Sequence, residues 1–220
     1  MILAVARRRK RHALILIGSQ LVNYSVEHLV AWLYGCEPFM SPIGKRVVPF
    51  YMLYRESQIG VPSCFGGRTH PGGDENKARA GIHYRENRTW KVVPCSSNQK
   101  QDAGVVITAF DHLSRSVKIV VFGHTGRATE AMGDLLARRP EDFGETDEVA
   151  AVRNGGSKGE KTRARTGKSA RKQGNSEAPK DKSRTVRVHL YSMKFSHGVT
   201  KQPDETKGDN EITRVKTFEF

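Results

Sequence analysis

The sequence predicts an α/β fold with a mixed, largely parallel sheet and a C-terminal β-hairpin, on three observations. Two segments, 13–35 and 117–138, each join an apolar run to a glycine turn and then to helical periodicity. A third region carries two alternating stretches, Thr185–Phe195 and Ile212–Phe220, on either side of a polar turn. Strands alternating with helices favour a parallel sheet, and adjacent alternating strands favour a hairpin.

Ala13–Ile17 (ALILI) is a continuous apolar run, the pattern of a central strand covered on both faces. After Gly18-Ser19, residues Val22, Val26, Leu29, Val30 and Leu33 recur at helical spacing, and Gly35 supplies a stop. Arg46–Tyr54 is rich in β-forming residues, with Pro49 marking an edge or a bend. Residues 64–87, with five glycines, read as a long loop. Thr89–Pro94, Gly104–Ala109 and Val117–Phe122 are strand candidates, the last two separated by a turn short enough for a hairpin. A second helix is expected over Ala128–Arg138, ended by Pro140. The resulting division is a basic tail (1–12), an α/β domain (13–143), a flexible linker (144–184) and a hairpin (185–220).

The net charge of +14 suggests nucleic acid until it is located. Residues 1–12 hold five basic and no acidic side chains, and residues 153–187 hold twelve basic and three acidic ones. These two segments carry the whole excess. The linker contains no aromatic residue, which denies it base stacking. The segment reads as a solubilising linker, with nucleic acid through 153–187 as the alternative, since its basic groups can neutralise phosphates. Three widely spaced cysteines (Cys36, Cys64, Cys95) argue against a disulfide framework and suit a cytoplasmic location. No stretch approaches the roughly 18 apolar residues of a membrane span. No HxH or HExxH spacing occurs, so no metal is expected. Self-association stays open.

Chemistry concentrates at the two strand-to-helix turns. Unpaired N–H groups at a helix start lie at the positive end of its dipole and stabilise an anion. In the second turn, Gly123 and Gly126 allow close approach, Thr125 or Thr129 can cap the helix or meet a ligand oxygen, and Arg127 can pair with a phosphate. The alternative is an ordinary turn with a threonine cap. The first turn offers Gly18, Ser19 and Asn23, and the two converge if their strands are neighbours. Loop 64–83 would then act as a lid. His70, His83, His112 and His124 lie in or beside these loops, with Asp74, Glu75 and Asp111. For an enzyme acting on a nucleotide or glycoside, the acid–base candidates are His124, Asp111 and Glu130. The cysteines are read as structural.

Over residues 14–138 the pattern resembles a poorly characterised bacterial and archaeal Rossmann-like ligand-sensing domain, often attached to helix-turn-helix segments. The resemblance rests on Gly18, Ser19 and Asn23, on Gly123, Gly126 and Thr129, and on the strand start Asp102–Val106. It implies a Rossmann-like three-layer fold that senses a nucleotide or other small anionic ligand without catalysis. The resemblance would make Gly18, Ser19, Asn23, Gly123, Gly126 and Thr129 ligand-binding, and the chemistry of the second turn adds His124, Thr125 and Arg127. The chain departs from that pattern in lacking the helix-turn-helix and in carrying FDHLSRS where an Asn-Pro dipeptide is usual.

Overall fold

The computed structural model describes residues 12–40, 48–55, 62–69, 79–87, 89–96, 98, 100–144, 184–196 and 210–220. The elements in chain order are β1 (Ala13–Ile17), α1 (Tyr24–Tyr34), β2 (Phe50–Leu53), β3 (Gly66–Gly67), β4 (Gly81–Glu86) and β5 (Thr89–Pro94). There follow β6 (Gln101–Asp111), β7 (Ser116–Gly123), α2 (Gly126–Arg138), a 3-10 helix (Pro140–Phe143), β8 (Arg184–Lys194) and β9 (Glu211–Glu219). No helix among the described residues is long and apolar enough to cross a membrane.

The strands form a five-stranded sheet, ordered β1-β7-β6-β8-β9, and a four-stranded sheet, ordered β3-β2-β4-β5. Only β1–β7 and β2–β3 are parallel; the other pairs are antiparallel. This overturns the expected Rossmann-like three-layer fold on a largely parallel sheet. Nine strands and two α-helices make the described residues mostly β. The cause is the connections. A parallel neighbour needs a long crossover, whereas the four-residue turn between β6 and β7 reverses the chain. β8 and β9 then add antiparallel on the far side of β6.

The large sheet has two differently covered faces. Ala103, Val105, Ile107, Val120, Phe122, Val188 and Leu190 share a core with α1 and the four-stranded sheet. Val106, Val121, Tyr191 and Met193 share a second core with Ala128 and Met132 of α2 and with Phe143. The alternation along β6, β7 and β8 thus sends α1 and α2 to opposite faces.

Four local expectations change. β1 is an edge strand: Leu14 and Leu16 pack inward, but Ile15 and Ile17 are 51% and 57% exposed. A continuous apolar run cannot by itself report two-sided burial. Val22, read as the first residue of the helical run, precedes α1 and is 79% exposed, and Asn23 caps the helix. The glycine-rich segment read as a loop contains β3 and β4, with Phe65, Ile82 and His83 buried. The described parts of the expected lid are therefore packed structure, and residues 70–78 lie outside the described residues. The tail 1–11 and most of the linker, 145–183, also lie outside them.

Candidate functional site

β1 and β7 pair in parallel register from Ala13↔Val117 to Ile17↔Val121. The Gly18 N–H continues the ladder, donating to the Val121 carbonyl at 2.9 Å. Both strands therefore end on one rim, and the chain leaves them toward opposite faces into α1 and α2. In open α/β sheets, the C-terminal ends of adjacent parallel strands with diverging helices are the common ligand position.

Glycines shape both turns. Gly18 has φ +105°, and a Cβ there would meet Val22 Cγ2 at 2.7 Å. A Cβ on Gly123 would lie 2.4 Å from Ala128 Cβ and 2.5 Å from the Thr129 nitrogen, so only glycine lets α2 start this close to the strand. Gly126 is different: it is exposed, and a Cβ there meets nothing within 4 Å.

The polar side chains of the turns are mostly occupied in building them. Asn23 Oδ1 accepts from the Ser25 N–H at 3.1 Å, and Nδ2 donates to the Ile17 carbonyl at 3.1 Å. The Ser19 carbonyl accepts from the Val22 and Asn23 N–H groups. Thr125 Oγ1 accepts from the Ala128 N–H at 3.3 Å, capping α2. Thr129 Oγ1 accepts from the Gly123 N–H at 2.9 Å and donates to the Thr125 carbonyl at 3.0 Å. The Arg127 guanidinium lies 4.0 Å from the Phe195 ring centre, a cation–π contact at the start of α2.

Beneath the second turn lies a buried polar cluster. The fully buried Asp102, at the start of β6, accepts through Oδ1 from the Ala103 N–H at 2.8 Å and from the Cys95 thiol at 3.4 Å. Its Oδ2 accepts from the Thr125 hydroxyl at 2.5 Å. His124 continues the β6–β7 ladder through its N–H to the Ala103 carbonyl, which turns its ring inward. The ring Nε2 donates to the Leu53 carbonyl at 3.0 Å, and the buried Nδ1 has no hydrogen-bond partner. Burial holds this imidazole below its ordinary pKa, against the pull of the Leu53 carbonyl and Asp102. Burial, with Asp102 beside it, pushes the Cys95 thiol up. Tyr54 stacks obliquely against His124, with ring centres 6.2 Å apart, and accepts from Gln20.

A second buried carboxylate organises the α1 side. Glu27 Oε1 accepts from the Phe39 and Cys64 N–H groups at 2.9 and 2.7 Å, and Oε2 from the Ser63 hydroxyl at 2.6 Å. Burial raises the Cys36 and Cys64 thiols, and the nearby Glu27 carboxylate adds to the rise of both.

The remaining candidates do not join the rim. Asp111 ends β6 opposite Ser116, at the far end of β7 from His124, and cannot share a reacting atom with it. Its Oδ1 caps the hairpin turn by accepting from the Leu113 and Ser114 N–H groups at 3.0 Å, which lowers its pKa. His112 reaches Thr185 in the same region. Glu130 is exposed on α2. His83 faces the Arg79 carbonyl within the smaller sheet. His70, Asp74 and Glu75 lie outside the described residues. At the end of the basic segment, Arg184 stacks on Trp32 at 3.7 Å and Arg187 pairs with Glu219 at 2.8 Å, so these two serve the fold.

Asp102, Cys95 and Glu27 carry the buried polar chemistry, and sequence reading alone gives none of them a functional role. Asp102 stands out only as a polar residue near the start of an apolar strand. Comparison with models of protein families, with curated proteins and with solved structures finds no match to the chain.

Proposed function

We propose that the protein binds a small anionic ligand, a nucleotide or phosphorylated metabolite, at the rim of residues 18–23 and 123–129, without transforming it. The single observation that supports this most is the parallel pairing of β1 with β7, followed by helices on opposite faces. Two helix N-termini then border one crevice, and their dipoles favour negative charge. Ser19, the exposed Gly126 and the cation Arg127 line the approach. The side chains of Asn23, Thr125 and Thr129 hold the turns in shape, so recognition falls to backbone N–H groups more than to hydroxyls. Exposed Val22 and Tyr24, beside the start of α1, offer an apolar face to a base or sugar ring. The three free thiols suit the cytoplasm, where we place the protein.

Of the acid–base candidates Asp111 sits at the opposite rim, so the enzymatic reading would rest on His124 and the exposed Glu130. Binding of nucleic acid through 153–187 would be a separate activity of the chain, independent of the rim.

A thermal-shift screen of the full chain with nucleotides and sugar phosphates tests the proposal. A true ligand at a hundredfold excess over its dissociation constant stabilises by about 2.7 kcal/mol. Gly126→Val should abolish that shift while melting near the wild-type temperature, since the added Cβ has open space. A screen without a single stabilising anion, or a Gly126→Val protein that binds normally, contradicts it.

A further inference from the structure

We infer that Cys95, Asp102 and His124 form a binding site for one divalent metal ion of the zinc class, with a fourth position left for water or a ligand group. One ligand atom from each residue lies within 4.8 Å of the other two, and all three residues are buried. Thiolate, imidazole and carboxylate together suit a borderline-soft cation, and three protein ligands with an open position are the pattern of a reactive zinc site, not of a closed structural one.

The His124 ring is the decisive element. Its relative exposure is 5%, and Nδ1 is left without a partner in the interior. A buried nitrogen lone pair with nothing to accept from carries a free-energy cost. The Nε2–H bond to the Leu53 carbonyl fixes the tautomer that presents this lone pair. A backbone carbonyl holding the second nitrogen is the usual orienting contact of a metal-bound histidine. Asp102 is oriented in the same manner, by the Thr125 hydroxyl on Oδ2 and the Ala103 N–H on Oδ1.

The spacing needs little adjustment. Bonds of about 2.3 Å to sulfur and about 2.0 Å to oxygen, at tetrahedral angles, place the two ligand atoms about 3.5 Å apart. Cys95 Sγ and Asp102 Oδ1 are 3.4 Å apart. The widest edge of the triangle has to close by no more than about 1.5 Å to reach the same geometry. On binding, the S–H bond of Cys95 breaks, the sulfur keeps the electron pair and donates it to the ion, and the proton passes to solvent. The thiol's hydrogen bond to Asp102 is released, which frees one lone pair of Oδ1 for the metal while the Ala103 N–H keeps the other. His124 and Thr125 belong to the 123–129 turn, so the open position sits under the rim. The inference stands without the anion-binding reading, since it rests on the three side chains alone.

Cobalt(II) titration of chelator-treated full-length protein tests it. The expected result is near-ultraviolet thiolate-to-cobalt charge-transfer absorption with strong tetrahedral d–d bands, saturating at one ion per chain and displaced by zinc. Cys95→Ser should remove the charge-transfer band, whereas the double variant Cys36→Ser, Cys64→Ser should keep it. Thr125→Val leaves all three ligands in place and should weaken cobalt about 10–100-fold. No charge-transfer band in the wild type, or one that survives Cys95→Ser, overturns the inference.

Discussion

Ile17 and Val121 are register partners at the C-terminal ends of two adjacent parallel strands. That pairing sets residues 18–23 beside 123–129, although about a hundred positions of sequence separate them. Every other neighbour in the large sheet is antiparallel, so among the described residues this is where two strand ends and two helix starts meet.

The three turn glycines should respond differently to alanine. At Gly123 a methyl group would meet Ala128 Cβ at 2.4 Å, which displaces the start of α2. Gly123→Ala should cost about 1–3 kcal/mol in urea unfolding. Gly18→Ala should also destabilise, because its φ of +105° disfavours any side chain. Gly126→Ala should be neutral or slightly stabilising, since it adds helix propensity in open space. Equal losses at Gly123 and Gly126 would contradict this packing.

Glu27 ties α1 to two segments that precede and follow β2. Replacing it by alanine leaves the Phe39 and Cys64 N–H groups and the Ser63 hydroxyl without their acceptor. We expect Glu27→Ala to cost about 3–5 kcal/mol, and Glu27→Gln distinctly less because one oxygen acceptor remains. Chemical denaturation of the two variants checks the order; a Gln variant as damaged as the Ala variant would argue against the hydrogen-bond account.

His189 gives the fold a dependence on pH. Burial holds its pKa down to about 4, with Arg214 and Arg187 adding to the effect and Asp142 opposing it. Nε2 is buried without a partner, and Nδ1 faces Thr217. With a folded pKa below the unfolded value near 6.5, the unfolded chain takes up the proton first. The contribution to stability is complete above about pH 6.5 and falls as pH drops toward 4, by up to about 1.4 kcal/mol per pH unit. His189→Gln should flatten this slope in denaturation curves recorded between pH 4 and 7. An unchanged slope would assign the acid sensitivity to other groups.

Periodicity located much of the secondary structure. The runs 104–109 and 117–122 lie within β6 and β7, 185–195 overlaps β8, and Gly35 ends α1 in the left-handed conformation expected of a helix stop. Strand direction was not legible, because it depends on which strand β6 meets, and that partner is chosen by tertiary packing. β3 and β4 were hidden by their glycines: Gly81 pairs with Leu53 and Pro94, contacts that no local pattern announces. The turns were readable as glycine punctuation, but the cluster beneath them was not. Cys95, Asp102 and His124 come from a strand end, a strand start and a turn, at spacings that match no compact ligand motif.

The most direct test of the shared rim is an NMR titration of the full chain with the best anion from the thermal-shift screen. The account predicts that the amides of Ser19 and Gly126 shift together, with one dissociation constant, while Leu113 and Ser114 at the opposite rim stay still. Shifts confined to one turn, or to the basic tails alone, would contradict it.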